Sequence, residues 1–311
     1  MKLYRIGIKM LSGSRTPMHS DTLFGSICWA VLYLEGEDRL KLLLQNCKEN
    51  KPAFIFSNGF PRGFLPRPAG GNYTTGFSET SSKSEIMDYM KTAKKIKKIS
   101  YIPLDDIQKI ILGEKIPLYS CEQPEEASIH WTTHNTIDRK TGTSLEGGLF
   151  RELYRWDGDL DVYVMAEEEW QPLLVRCLEL ISFWGYGGGA SRGRGAFEIE
   201  EICEAGFKTP EDPNAYMTLS RCIPTPEMPV PCQYRLDVKY GRFGQDRGRV
   251  GYPLKKPVLM LEPGAIFWGK PPECGWCGTM AGELSDEYSD ALQCGLSIIL
   301  PCKIEPPEWG A

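Results

Sequence analysis

The sequence predicts an α+β chain, and three stretches carry that expectation. Tyr4, Ile6, Ile8 and Met10 alternate with Arg5, Gly7 and Lys9, so residues 2 to 11 read as a strand with one buried face. Trp170, Leu173, Leu174, Cys177, Leu178 and Ile181 recur at helical spacing, and Phe197 and Ile199 then alternate with Glu198 and Glu200. Beyond a polar Gly- and Pro-containing stretch at 206–214, short apolar runs separated by turns predict a sheet-rich second half.

After the first strand, Ser20 or Asp21 can cap a helix whose Leu23, Phe24, Ile27, Cys28, Val31 and Leu32 face the core. Met18-His19-Ser20-Asp21-Thr22 places polar groups at that helix N-terminus, a reasonable anion site. Leu40, Leu43, Leu44 and Cys47 continue as a second amphipathic segment. Residues 57 to 83 are rich in Gly, Pro and Ser and read as an ordered loop followed by a mobile one. Five lysines between Lys91 and Lys98 fit the solvated face of a helix better than a dedicated nucleic-acid patch. Another short helix runs to Leu112, after Tyr101-Ile-Pro-Leu-Asp-Asp106. Lys140-Thr-Gly-Thr sits between segments able to pair, which predicts a projecting hairpin over about 128–156 with Arg139 and Lys140 near its tip. Strand pattern returns at 161–165, and in the second half at 234–240, 258–261, 266–268 and 296–300.

The stretch Gly185-Tyr-Gly-Gly-Gly-Ala-Ser-Arg-Gly-Arg-Gly195 holds six glycines and two arginines in eleven residues, more than a packed core requires. Glycine permits positive φ and close backbone approach, while exposed N–H groups with Arg192 and Arg194 supply positive charge, so it reads as a phosphate cradle. Residues 185–190 also fit the G-x-G-x-x-A dinucleotide fingerprint. That site needs strand, loop, helix, whereas here the order is helix, loop, strand, with a helix C-terminus facing the loop. A flexible linker is the bland alternative, and an RNA backbone site is the reading preferred. A second glycine-and-basic loop, residues 240–257, carries Arg242, Phe243, Arg249, Tyr252, Lys255 and Lys256, with the two aromatics available to stack on bases.

With 36 basic against 41 acidic residues, the chain is mildly acidic, so RNA contact must be local. Eleven scattered cysteines look like reduced thiols of a cytoplasmic protein rather than a disulfide framework. The N-terminus lacks an apolar signal core and no long apolar run occurs, so no membrane association is expected. Cys274-Gly-Trp-Cys277 could be half of a zinc site with Cys294 and Cys302, but their spacing does not match a second knuckle. No βαβ pattern supports redox chemistry there, so neither metal nor cofactor is expected. His19, beside Ser20 and Asp21, is a possible general acid or base for RNA cleavage; against that, the chain has only three histidines.

The sequence resembles the RAMP proteins of CRISPR effector complexes, within them the Cas-five group, and most closely subunit four of the type III-A (Csm) complex. The residues that carry the resemblance are His19-Ser-Asp-Thr-Leu-Phe-Gly25, Leu65-Pro-Arg-Pro68, Tyr101-Ile-Pro-Leu104, Asn135-Thr-Ile-Asp-Arg139 and Gly148-Leu-Phe150. To these add Ser191-Arg-Gly-Arg-Gly195 and Lys255-Lys-Pro-Val-Leu-Met-Leu-Glu-Pro-Gly264. The resemblance implies two ferredoxin-like (RRM-related) domains, at 1–207 with a β-hairpin thumb and the glycine loop, and at 213–311. It also implies a non-catalytic subunit that holds the 5′ tag of crRNA and touches the large polymerase-nuclease subunit and the repeated backbone subunit, meeting target RNA indirectly. Helix, loop, strand is how a βαββαβ domain ends, which agrees independently. The expected RNA contacts are His19, Ser20, Arg139, Lys140, Gly187, Gly188, Gly189, Ser191, Arg192, Gly193, Arg194, Arg242, Phe243, Arg249, Lys255 and Lys256. The alternatives are a repeat-processing endoribonuclease centred on His19 and a zinc-stabilised interaction module.

Overall fold

The computed structural model describes residues 1–70, 83–118, 121–249 and 253–306. In chain order the elements are β1 (Lys2–Met10), α1 (Ser20–Glu35), α2 (Glu37–Lys48), β2 (Phe54–Pro61), β3 (Phe64–Pro66), α3 (Lys83–Lys98), β4 (Tyr101–Pro103), α4 (Leu104–Ile111), β5 (Ser128–Ile137), β6 (Ser144–Trp156), β7 (Asp159–Ala166), α5 (Gln171–Trp184) and β8 (Phe197–Glu204). The second half holds β9 (Ala215–Thr218), β10 (Cys232–Gln233), β11 (Leu236–Lys239), β12 (Val258–Leu261), β13 (Ile266–Trp268), β14 (Trp276–Ala281) and β15 (Gln293–Cys302). It is a mixed α+β fold of antiparallel sheets.

The first sheet has the order β2-β7-β1-β8, and its strands follow the helices in the sequence β, α, β, β, α, β. Pattern explains the layering. Ile6 and Ile8 of β1, Val162 and Val164 of β7, and Phe54 and Phe56 of β2 are buried with Leu23 and Ile27 of α1 and Leu174 and Leu178 of α5. Pro172 sits at the start of α5, where its missing N–H costs no helical bond.

The second sheet, β10-β13-β9-β15-β14, does not bring its own helices: among the described residues no α-helix lies beyond Trp184. This corrects the expectation of a second complete ferredoxin-like unit. Its apolar side chains Met217, Ile266, Leu296, Ile298 and Leu300 join the same core cluster as the first sheet, and β15 lies against β2, α1 and α4. A sheet needs only one covered apolar face, and here the N-terminal half supplies the cover. The seam is hydrogen-bonded. Ser220 Oγ donates to Phe56 O (2.6 Å), Asn58 N–H to Leu219 O (3.0 Å) and Arg221 N–H to Ser20 Oγ (3.2 Å).

Several boundaries differ from expectation. β3 and most of β2 occupy ground read as loop, and β4 lies in the stretch read as leading into a helix, since their registers pair residues far apart in sequence. The expected mobile half of that loop includes residues 71–82, which lie outside the described residues. β9 and β14 carry too few alternating residues to stand out. On α3, Lys94, Lys95, Lys97 and Lys98 are exposed while Ile96 is buried, which is the solvated helix face.

Candidate nucleic-acid interface

The glycine loop is a folded turn rather than an open strap. Gly185 takes φ 90° and its N–H closes α5 onto Ile181 O at 2.8 Å. Gly195, at φ 71°, exchanges a bond with the other end of the turn: its carbonyl accepts from Tyr186 N–H at 2.8 Å, and its own N–H donates to Gly13 O at 3.1 Å. Inside, the N–H groups of Arg192 and Arg194 donate to Gly189 O, that of Gly193 to Ala190 O, and that of Gly188 to Thr16 Oγ1 (3.3 Å). The expected row of free amides is therefore mostly committed within the protein. Tyr186 is fully buried and anchors the loop from below, accepting His19 N–H on its hydroxyl (2.9 Å) and donating to Pro17 O (3.0 Å).

The projecting hairpin is β5-β6, with Asp138–Thr143 as its tip and Arg139 and Lys140 both exposed. Its base is fixed by paired backbone bonds between Ser14 and Arg155, each 2.9 Å. One face of the hairpin lies against the glycine loop. Arg192 Nη1 reaches Glu152 Oε2 at 2.6 Å, Arg15 Nη1 reaches Glu152 Oε1 at 3.4 Å, and Arg194 stacks 4.0 Å from the Tyr154 ring centroid while donating to Thr132 Oγ1 (3.3 Å). The Tyr154 hydroxyl donates to Glu152 as well, and this bond, followed by Arg192, holds the Glu152 carboxyl at about 2. Two guanidinium groups, of Arg15 and Arg192, thus converge on the Glu152 carboxylate, and with Arg194 alongside on the Tyr154 ring they leave net positive charge beside the loop. Six strand residues at about 3.3 Å each put the tip roughly 20 Å further out from Thr132.

His19 is the residue before α1 and makes no side-chain cap, so the cap position falls one residue before Ser20, the first of the two expected. Ser20 is drawn inward instead, with its N–H on Asn58 Oδ1 at 2.9 Å. Burial, with nearby Arg221, pushes the His19 imidazole down to about 3, so it is neutral at physiological pH. Burial opposes the Asp21 carboxylate, but Lys239 Nζ at 2.9 Å outweighs it and keeps the group ionised; Gln293 Nε2 adds a bond at 2.7 Å. Arg221 is paired with Asp237. The helix start is therefore a junction at which the local charges are paired.

The second basic loop is not brought to the glycine loop's contacts and is largely self-occupied. Phe243 is buried against Tyr288, ring centroids 4.9 Å apart, because the loop folds onto Leu284 and Ala291. Lys255 is turned in, donating to Leu292 O (2.7 Å), and Lys256 pairs with Asp286. Phe243 and Lys255 are turned into the protein, whereas Arg242 is exposed. Tyr252 and the side chain of Arg249 lie outside the described residues. The sequence did not single out Arg15, Thr16, Glu152 or Tyr154. A Ser-Arg-Thr turn just after the first strand, and a carboxylate two residues from a tyrosine in a hairpin strand, are the signals available, and neither is specific.

Among the described residues no group of three or more His, Cys, Asp or Glu side chains could hold a metal ion, and no described helix is long and apolar enough to cross a membrane. Cys277 lies beside Cys222 rather than Cys294 or Cys302.

Similarity to solved structures extends over nearly the whole chain. A chain of a Csm1–Csm4 cassette crystallised in complex with pppApA shares 20% identity at a TM-score of 0.58, covering 98% of this chain and 100% of that one. The cassette in complex with cA4 gives 18% identity and a TM-score of 0.60, with 97% and 99% covered. The Csm3–Csm4 subcomplex of the type III-A CRISPR-Cas interference complex gives 16% and 0.58, with 97% and 100% covered. At these identities the likeness is one of fold. No curated protein sequence matches. The family model of the RAMP superfamily matches residues 11–198, which include α1, the hairpin and the glycine loop, and the chain belongs to that superfamily.

Proposed function

We propose that this chain is the crRNA-binding structural subunit of a type III-A CRISPR interference complex, holding the 5′ repeat-derived tag and joining the large polymerase-nuclease subunit to the backbone subunit. The observation that carries the reading is the cluster of Arg15, Arg192 and Arg194 between glycine loop and thumb, in a fold whose solved counterparts occur in Csm1–Csm4 and Csm3–Csm4 assemblies. The strand and helix order of the first sheet supports a ferredoxin-like RAMP domain over 1–207. Residues 213–311 form the second unit, which lacks helices of its own among the described residues. Arg192 and Arg194 take phosphates by exchanging part of their contact with Glu152 and Thr132, and Arg139 and Lys140 follow the RNA along the thumb. Ser191 is exposed, and Gly187 and Gly189 are half-buried beside it. The role is positioning: His19 is neutral, and its Nδ1 is buried without a hydrogen-bond partner, which does not suit proton transfer.

The test is a salt titration of tagged crRNA binding by wild type and by Arg192→Ala with Arg194→Ala. Two lost phosphate contacts should reduce the slope of log K against log salt by about 1.4, at roughly 0.7 per contact for single strands. Affinity should fall for every sequence while circular dichroism is unchanged. Unchanged affinity and slope would remove the glycine loop from the interface.

A further inference from the structure

Outside the RNA surface, the second half holds a small separate core of Tyr216, Cys222, Leu261, Ala265, Phe267, Cys277 and Ile299, with Met228 and Cys232 against it. Within it the Sγ atoms of Cys222 and Cys277 stand 3.9 Å apart, both residues buried. Each cysteine is held by backbone. Cys222 exchanges bonds with Leu261 (3.0 and 2.7 Å), and Cys277 lies in β14 opposite Ser297 of β15. Gly278 keeps the approach open: it takes φ 90°, and a Cβ there would come 3.0 Å from Cys222 Sγ. Cys277 also lines a cavity of about 680 Å³, with Tyr216, Met228, Pro229 and Thr279 among its walls. Cys274, the other member of the C-x-x-C pair, is exposed and its Sγ is engaged with Trp276 O at 3.3 Å.

We propose that Cys222 and Cys277 form a thiol modification site, a pair that closes to a disulfide on two-electron oxidation by hydrogen peroxide entering through that cavity. The Cys277 thiolate attacks the peroxide oxygen, the O–O bond breaks, and hydroxide leaves with the released electron pair, giving a sulfenic acid. Cys222 sulfur then attacks the Cys277 sulfur and expels the hydroxyl as water, so two thiols and one peroxide give one disulfide and two waters. The sulfurs have to close by about 2 Å to reach bonding distance. The neighbouring Cys222 thiol and burial push the Cys277 thiol well above its usual range, so closure is slow at neutral pH and faster as pH rises. The product ties β14 to the segment that bridges β12, and does not depend on RNA binding.

The experiment treats the full chain with hydrogen peroxide at mildly alkaline pH, blocks remaining thiols with N-ethylmaleimide and maps peptides by mass spectrometry. The expected result is a linked peptide pair holding Cys222 and Cys277, reversed by dithiothreitol, absent in Cys277→Ser and retained in Cys274→Ser. A Cys274–Cys277 link, an intermolecular link through Cys274, or recovery of Cys222 and Cys277 only as unlinked thiols or sulfonates would overturn the proposal. The wild-type map decides the matter even if Cys277→Ser does not fold.

Discussion

Alanine at three glycines of one loop should separate conformational demand from backbone exposure. At Gly195 the added Cβ would lie 2.1 Å from Tyr186 O, and the residue already takes φ 71°. A left-handed conformation costs an L-residue about 1–2 kcal/mol, and relieving an overlap with fixed backbone about 1–3 more, so Gly195→Ala should lose roughly 2–5 kcal/mol. At Gly193, φ is 74° but nothing lies within 4 Å of the Cβ position, which leaves only the conformational cost of about 1–2 kcal/mol. Gly188 has no positive φ, and its nearest neighbours, Arg15 Cβ and Thr16 Oγ1, would sit at 3.4 Å, an ordinary contact. Gly188→Ala should be within about 1 kcal/mol of wild type, with reduced freedom of the unfolded chain acting in its favour. Urea unfolding measures the series. With a slope near 3 kcal/mol/M the Gly195 variant should move its midpoint down by about 1 M and the Gly188 variant hardly at all. If Gly188→Ala is as damaging as Gly195→Ala, the loop is not pinned through the Tyr186–Gly195 exchange, and the reasoning fails.

The histidine prediction follows from sign. The folded pKa of His19 is about 3, below its unfolded value, so protons bind the unfolded chain first and stability falls by about 1.4 kcal/mol per pH unit below roughly pH 6.5. His19→Gln should flatten that limb of the pH–stability curve, NMR should show no His19 inflection between about pH 5 and 8, and RNA length distributions in the assembled complex should not change. Metal analysis of purified protein should find zinc well below stoichiometry, and Cys274→Ser should leave it there; stoichiometric zinc lost in that variant would restore the interaction-module reading. Lys239→Ala leaves the buried Asp21 carboxylate without its cation and should cost about 3–5 kcal/mol by chemical denaturation, while an unchanged melt would show the pair to be ornamental.

β1, β7 and β8 of the first sheet, α5 and the hairpin were legible because their signals are local, whereas most of β2 was read as loop. Alternation in β1, the 3.6-residue stripe of α5 and the turn chemistry at Asp138–Thr143 each declare themselves within a dozen residues. The glycine loop was legible as a place and misread in detail. Composition shows that backbone approaches closely, but whether the approaching group is a phosphate or Tyr186 O is decided by a residue at the far end of the same turn. The same limit explains Phe243 and Lys255, whose exposure depends on Tyr288 and Leu292. Arg15 and Glu152 were missed for the converse reason: a common residue acquires meaning only when the hairpin base meets the loop after β1, through Ser14 and Arg155.

If the chain holds RNA as proposed, its formal net charge of −5 makes the placement of its carboxylates decisive. At the junction of the halves, Asp21 and Asp237 are matched by Lys239 and Arg221, and the balance keeps a buried polar seam intact without attracting an anion. At β1, Arg5 is shared by Asp161 and Glu201, and Arg62 by Asp159 and Glu200, so these arginines are also consumed by the fold. Between loop and thumb the ratio inverts, with Arg15, Arg192 and Arg194 against the single carboxylate of Glu152. Salt screens exposed charges beyond about 8–10 Å, so an RNA strand lying there is governed by this local excess and little by the acidic remainder. Under the proposed function the salt slope of binding belongs to the loop and the thumb, and the acidic remainder is left to face solvent or basic surfaces of partner proteins.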